Sequence, residues 1–112
     1  MKHTEKQIEH NVSRKGDLAE YYAVTWLWDQ GYEVFLNAGC TGPIDLVAYK
    51  DGNIKLIDVK TESKGKNKKD NSYYWVKPKR SELQIEIGVE LVGYDPNTRK
   101  LRFVEHKDEQ SN

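Results

Sequence analysis

The chain has a single cysteine, Cys40, among its 112 residues. No internal disulfide can form, which accords with a reducing compartment and excludes the small disulfide-stapled scaffolds. With no histidine near it in sequence, Cys40 is expected to be an ordinary loop residue rather than an activated thiol. No apolar run approaches a membrane span, and the opening Met1-Lys2-His3-Thr4-Glu5-Lys6 lacks the apolar stretch of a secretory signal, so a cytoplasmic protein is expected. Internal repeats and long low-complexity tracts are absent, and the length suits one domain over 1–112. Net charge is missing too: 18 basic residues balance 18 acidic ones, so the chain as a whole exerts no pull on a polyanion.

Charge is nonetheless unevenly placed. From Lys60 to Arg80 there are eight lysines and arginines against Glu62 and Asp70 alone, a net of +6. Acids gather at Glu82, Glu86 and Glu90 and from Glu105 to Glu109. One face is therefore expected to be basic and to meet phosphate, while the far side stays acidic. A hydrophobic content of 37% beside 32% charged residues allows a small core and often accompanies oligomerisation or a charged ligand.

A polar arm is expected over 1–12, then a helix over 14–30. Ser13 suits an N-cap, Asp17 a first-turn acid and Gly31 a C-terminal stop. Ala19, Tyr22, Ala23, Trp26 and Leu27 recur at core-facing spacing, with Glu20 in the adjacent row. Residues 33–37 predict a strand, 38–42 a glycine-rich turn, and 43–50 with 53–61 a hairpin buried on both sides. Residues 62–72 hold only polar residues and glycine and predict a mobile basic loop. Tyr73-Tyr74-Trp75-Val76 predicts an extended piece whose aromatics pack a core or a dimer partner. A helix over 79–87 ends at Gly88, strands follow over 89–94 and 101–106, and 107–112 is a polar tail. His3, His10 and His106 lie in end segments without ligand spacing and are expected to face solvent. The order is α-β-β-β-α-β-β.

Asp58-Val59-Lys60 carries the chemistry. On a strand alternate residues share a face, so Asp58 and Lys60 point together and Val59 points into the opposite layer. Asp45, across the Asp51-Gly52-Asn53 turn, can bring a second carboxylate to the same place. Set inside apolar strands, these charges would be costly to bury without a partner or a metal ion. Phosphodiester hydrolysis asks for such a set: a hard cation against the developing charge, a positioned water and a group to hold that water. Asp45, Asp58, Glu20 and the Val59 carbonyl could make the oxygen-rich site that Mg²⁺ (or Mn²⁺) prefers. Lys60 could accept a proton or orient the nucleophile.

Pro43-Ile44-Asp45 with Asp58-Val59-Lys60 resembles the PD-(D/E)xK nuclease superfamily. Lys15-Gly16-Asp17-Leu18-Ala19-Glu20, Gly31-Tyr32-Glu33-Val34, Asp45-Leu46-Val47 and Val59-Lys60-Thr61 extend the likeness to archaeal Holliday-junction resolvases and intron-encoded homing endonucleases. Ile44 stands between the proline and the aspartate of the name-giving motif, and Asp58 replaces the commoner glutamate. The resemblance implies an α/β, restriction-endonuclease-like core with a mixed central sheet flanked by helices. It also implies metal ligation by Glu20, Asp45 and Asp58, with Lys60 as the catalytic lysine. Ser81 and Gln84, opening the second helix, fall where related nucleases carry accessory polar residues.

The function expected is a divalent-metal-dependent DNA endonuclease, structure-selective in the manner of Holliday-junction resolvases of DNA recombination, acting as a homodimer. Phosphate contact would fall to Lys15, Lys64, Lys66, Lys68, Lys69, Lys77, Lys79 and Arg80. A sequence-specific homing or restriction-type enzyme, which would need base-edge contacts from extra elements, and a non-catalytic nucleic-acid-binding module remain alternatives.

Overall fold

The computed structural model describes residues 12–39 and 41–106. The arm as far as residue 11, Cys40, His3, His10 and the tail over 107–112 lie outside the described residues. Helix α1 spans Val12–Asp29. Strands β1 Glu33–Leu36, β2 Leu46–Lys50 and β3 Asn53–Thr61 follow, then β4 Ser63–Lys66 and β5 Tyr73–Val76. Helix α2 Glu82–Ile87 and strands β6 Val89–Tyr94 and β7 Leu101–Phe103 complete the described chain.

Five of these strands form one mixed sheet in the order β1-β2-β3-β6-β7. β1, β2 and β3 make an antiparallel meander. β3 and β6 run parallel, with Asp58 opposite Leu91 and Lys60 opposite Gly93. The β2–β3 turn is a two-residue one: Lys50 pairs with Asn53, while Asp51 and Gly52 take positive φ of 50° and 84°. That is the twist-compatible hairpin turn that Asp-Gly favours.

α1 lies across one sheet face. Ala23, Val24 and Leu27 pack with Leu46, Ala48, Ile57 and Val92, flanked by Trp26, Val34, Val59 and Phe103. Tyr22 stacks on Tyr94, with ring centroids 5.3 Å apart. The predicted stripe therefore faces the core, with Val24 added to it. Gly31, at φ 93°, ends the helix as expected. The start differs: α1 begins at Val12, so Ser13 lies within the helix and no acid occupies its first turn.

The opposite sheet face is covered unevenly. Val89 and Leu91 are fully buried, and Val104 nearly so. Toward the β1–β2–β3 side the face is open, because Phe35, Tyr49 and Ile54 remain exposed. The hairpin is thus buried on one side only near its turn, not on both. His106 is buried rather than solvent-facing.

The predicted loop over 62–72 is the largest difference. β4 and β5 pair with each other as a separate two-stranded ribbon, Lys64 opposite Trp75 and Lys66 opposite Tyr73. Ser-Lys-Gly-Lys carries no apolar alternation, which hid the strand. The backbone pairing and the turn supply what side-chain pattern does not: Asn67 N–H donates to Ser72 O at 2.8 Å, and Asn71 sits at φ 62°. The aromatics Tyr73, Tyr74 and Trp75 pack no core; all three are exposed. α2 also starts later than predicted. Ser81 is its N-cap in a reciprocal capping box with Gln84, and Gly88 closes it at φ 83°. The last strand stops at Phe103 rather than 106.

Candidate active site

Asp45 stands just before β2, and Asp58 and Lys60 occupy the C-terminal half of β3. The main chain delivers Asp45 there, since its N–H donates to Ile57 O at 2.8 Å. Asn37 folds the preceding loop. Its Nδ2 donates to Thr41 O at 2.6 Å and Ile44 O at 2.8 Å, while its Oδ1 accepts from Gly39 N–H. Asp45 Oδ2 accepts the Val59 N–H at 2.8 Å. Asp58 Oδ2 accepts Gln84 Nε2 at 2.9 Å and lies 3.2 Å from Lys60 Nζ. Gln84 is held in turn, because the same nitrogen donates to Pro43 O at 2.9 Å. A side chain from α2 thereby ties both halves of the motif together.

The two aspartate carboxyls stand close enough to perturb one another. Burial first, and then the Asp58 carboxyl, push the Asp45 carboxyl up to about 7, against the lowering effect of the Val59 N–H. Glu20 adds a smaller repulsion to Asp45. Its own carboxyl is raised, chiefly by burial and then by Asp17 and Asp58. Three carboxyls therefore sense one another, and the central one holds a proton through mild acid, first because burial disfavours its charged form and then because a second carboxyl lies beside it. Such a pair is relieved by a hard cation, so the donor chemistry fits a divalent metal ion. Among the described residues no three His, Cys, Asp or Glu side chains stand close enough to hold a metal by themselves. A site here would consist of the two aspartates completed by water, main-chain carbonyl or substrate oxygens, as Mg²⁺ commonly accepts.

Lys60 differs from Asp58 in exposure. Its side chain is 46% accessible and that of Asp58 is 9%, so the ammonium reaches solvent from a buried carboxylate anchor. The arrangement can bind a cation at one end and address water or a phosphoryl oxygen at the other.

The predicted phosphate contacts separate into groups. Lys64 and Lys66 lie on β4, with Lys68 and Lys69 in the turn beyond it. Lys77, Lys79 and Arg80 lie between β5 and α2. Arg80 is partly committed to the fold, its Nη1 donating to Val89 O at 3.2 Å. Lys15 lies in α1, and its side chain is outside the described atoms. Two residues were not singled out from sequence. Asn37 frames the Asp45 loop, and an asparagine opening a glycine-rich turn was its one signal. Glu62, buried just beyond Lys60, is gripped by Arg102: Nε to Oε1 at 3.1 Å and Nη2 to Oε2 at 3.2 Å. Gly93, inside an apolar strand, was the available sign that another group approaches there, and the Glu62 carboxyl does.

No curated protein matches the sequence. A solved bacterial homing endonuclease is similar in fold, with TM-score 0.61 at 18% identity, covering 91% of this chain and 83% of its own. That likeness and the five-stranded mixed sheet give the chain a restriction-endonuclease-like fold. A family model described as PD-(D/E)XK endonuclease matches residues 10–106, nearly the whole chain and all of the site just described. The chain belongs to the PD-(D/E)XK endonuclease family.

Proposed function

We propose that the protein is a divalent-metal-dependent DNA endonuclease whose working groups are Asp45, Asp58 and Lys60, supported by Glu20. The observation that carries this is the meeting of two carboxyls with an accessible ammonium 3.2 Å from one of them. Asp45 and Asp58 would hold Mg²⁺ or Mn²⁺, with the Val59 carbonyl and water as further oxygen donors and Glu20 adding negative charge beside them. The ion, when bound, supplies charge neutralisation at the scissile phosphate. The protein's own groups do the rest. Gln84 and the Val59 N–H fix the two carboxylates in orientation, so no reorganisation is needed as charge builds. Lys60 holds the attacking water in line, or donates to the phosphoryl oxygen as it becomes more negative.

Branched DNA is the substrate class we favour, since shape can be read by few contacts. The β4–β5 ribbon favours a second reading, cleavage within duplex read through groove contacts, because it is an extra element of the kind a sequence-reading enzyme needs. Two-strand cleavage further calls for a homodimer, for which the exposed Phe35, Tyr49 and Ile54 offer apolar surface.

The test is incubation with four-way junction, flap, single-stranded and linear duplex DNA in Mn²⁺, with products sized on a gel. Cleavage is expected, with Asp58→Ala and Lys60→Ala each reducing the rate by at least about a hundredfold. Undiminished cleavage by either variant overturns the assignment. Binding without cleavage, and no heat of Mn²⁺ binding that Asp45→Asn removes, would leave a non-catalytic binding module.

A further inference from the structure

The ribbon begins at Ser63, three residues after Lys60 on the strand that carries the site. Its base is fixed. Glu62 N–H donates to Tyr94 O at 2.7 Å, and the Glu62 carboxylate is buried against Gly93 and doubly bonded by Arg102. Its stem is braced as well. The Tyr74 ring lies so close over Gly65 that an added Cβ would displace it, and Lys64 Nζ sits 4.8 Å from the Trp75 ring centroid. Beyond the stem, Lys66, Lys68, Lys69 and Tyr73 form the tip. Between Ser63 and Val76 there are four lysines and one acid, Asp70. That carboxylate is turned onto its own loop, accepting Ser72 N–H at 2.9 Å and Ser72 Oγ at 2.7 Å.

We propose that this ribbon is an arm that enters a groove of the duplex flanking the scissile phosphate, with Lys66, Lys68, Lys69 and Tyr73 as its contact tip. The inference rests on the nuclease reading for the identity of its partner. Charge selects a polyanion, and shape selects duplex: the major groove, about 12 Å wide, admits a two-stranded β-ribbon. Single-stranded DNA is the weaker fit, because base stacking needs open ring faces. Here the Trp75 face carries Lys64, the Tyr73 face carries Lys66 at 5.9 Å, and Tyr74 covers Gly65. Exposure of 68% for Tyr73 and 55% for Tyr74 leaves their edges to line a groove wall. Lys68 lies eight residues beyond Lys60, so the tip reaches at most about 26 Å from it at ~3.3 Å per residue, most of one turn of B-DNA.

The experiment is fluorescence anisotropy of a labelled duplex a few turns long, and of its single strand, titrated with the full chain at several salt concentrations without divalent metal. The duplex is expected to bind more tightly. Lys68→Ala/Lys69→Ala is expected to lower the slope of log affinity against log salt by roughly two on duplex. Lys55→Ala, whose side chain pairs with Glu90 at 3.0 Å away from the arm, is expected to leave the slope unchanged. Tyr73→Ala is expected to weaken duplex binding several-fold at constant slope, and thermal unfolding of each variant confirms that it is folded. An unchanged slope in the double variant, or preference for single strand that Tyr73→Ala abolishes, overturns the arm. Because this titration needs no metal, tip-dependent duplex binding by a chain that cuts no DNA when Mn²⁺ is supplied would sink the nuclease reading and leave the arm standing.

Discussion

Asp45 keeps its proton at a pH where a free aspartate has long lost it, and the sign of the effect on stability follows. Its carboxyl moves from 3.8 to about 7 on folding, so between these values the folded chain holds a proton that the unfolded chain has released. The stability contributed by this group is full below about 4 and is lost as pH rises through 7. Melting temperatures of the metal-free protein across that window are expected to fall more steeply than those of Asp45→Asn, which cannot titrate. Divalent-metal binding near pH 6 should expel roughly one proton, read by calorimetry in two buffers of different ionisation enthalpy. Gln84 is the other residue with a sharp outcome. Gln84→Leu removes the donor to Asp58 and Pro43 and the acceptor in the α2 cap, at a cost of about 1–3 kcal/mol in denaturant melts. Cleavage should fall about ten- to a hundredfold even where the variant is fully folded, because Asp58 loses its orienting partner.

At the scale of elements, β3, which carries Asp58 and Lys60, and β2, which Asp45 precedes, were legible because apolar residues crowd them and Asp-Gly marks the turn, although β2 starts at Leu46 rather than 43. β6 was legible to its residues, 89–94, for the same reason. The ribbon was not, since Ser63-Lys64-Gly65-Lys66 offers neither alternation nor β-branched residues, and its pairing is a matter of backbone bonds with Tyr73–Val76. Glu62 escaped notice because its partner Arg102 is 40 residues away and only folding makes them meet. That meeting is testable. Gly93→Ala puts a methyl group against the buried Glu62 carboxyl, and destabilisation of about 1–3 kcal/mol is expected as the Arg102 pair is displaced. The helix start was missed for a local reason: Ser13 has the right chemistry for a cap, but Val12 already lies in the helix. At α2 the true cap, Ser81, was named from sequence as a site-flanking residue while the predicted boundary fell two residues earlier.

For the whole molecule, the open β1–β2–β3 face, with Phe35, Tyr49 and Ile54 exposed, is where the proposed homodimer is tested. Ile54→Lys, placing a charge at an exposed apolar position opposite Tyr49, is expected to shift sedimentation from dimer to monomer without lowering the melting temperature. A wild-type chain that sediments as a monomer at assay concentration while cutting both strands in one encounter would refute the dimer. How much of the candidate site could be read beforehand follows from the sheet as a whole. Adjacent strands brought Asp45 and Asp58 together, which spacing implies. The nearness of Gln84 depends on the crossover that returns α2 over the parallel β3–β6 pair, and no local pattern encodes that route.

Ser63 and Val76 face each other across the ribbon's base. The chain therefore leaves the body of the five-stranded sheet and re-enters it at almost one point, and everything between could be shortened to a tight link with every hydrogen bond of that sheet kept. The ribbon can thus lengthen, shrink or change its residues among descendants of this chain, while the pair of acids and its lysine stay where they are.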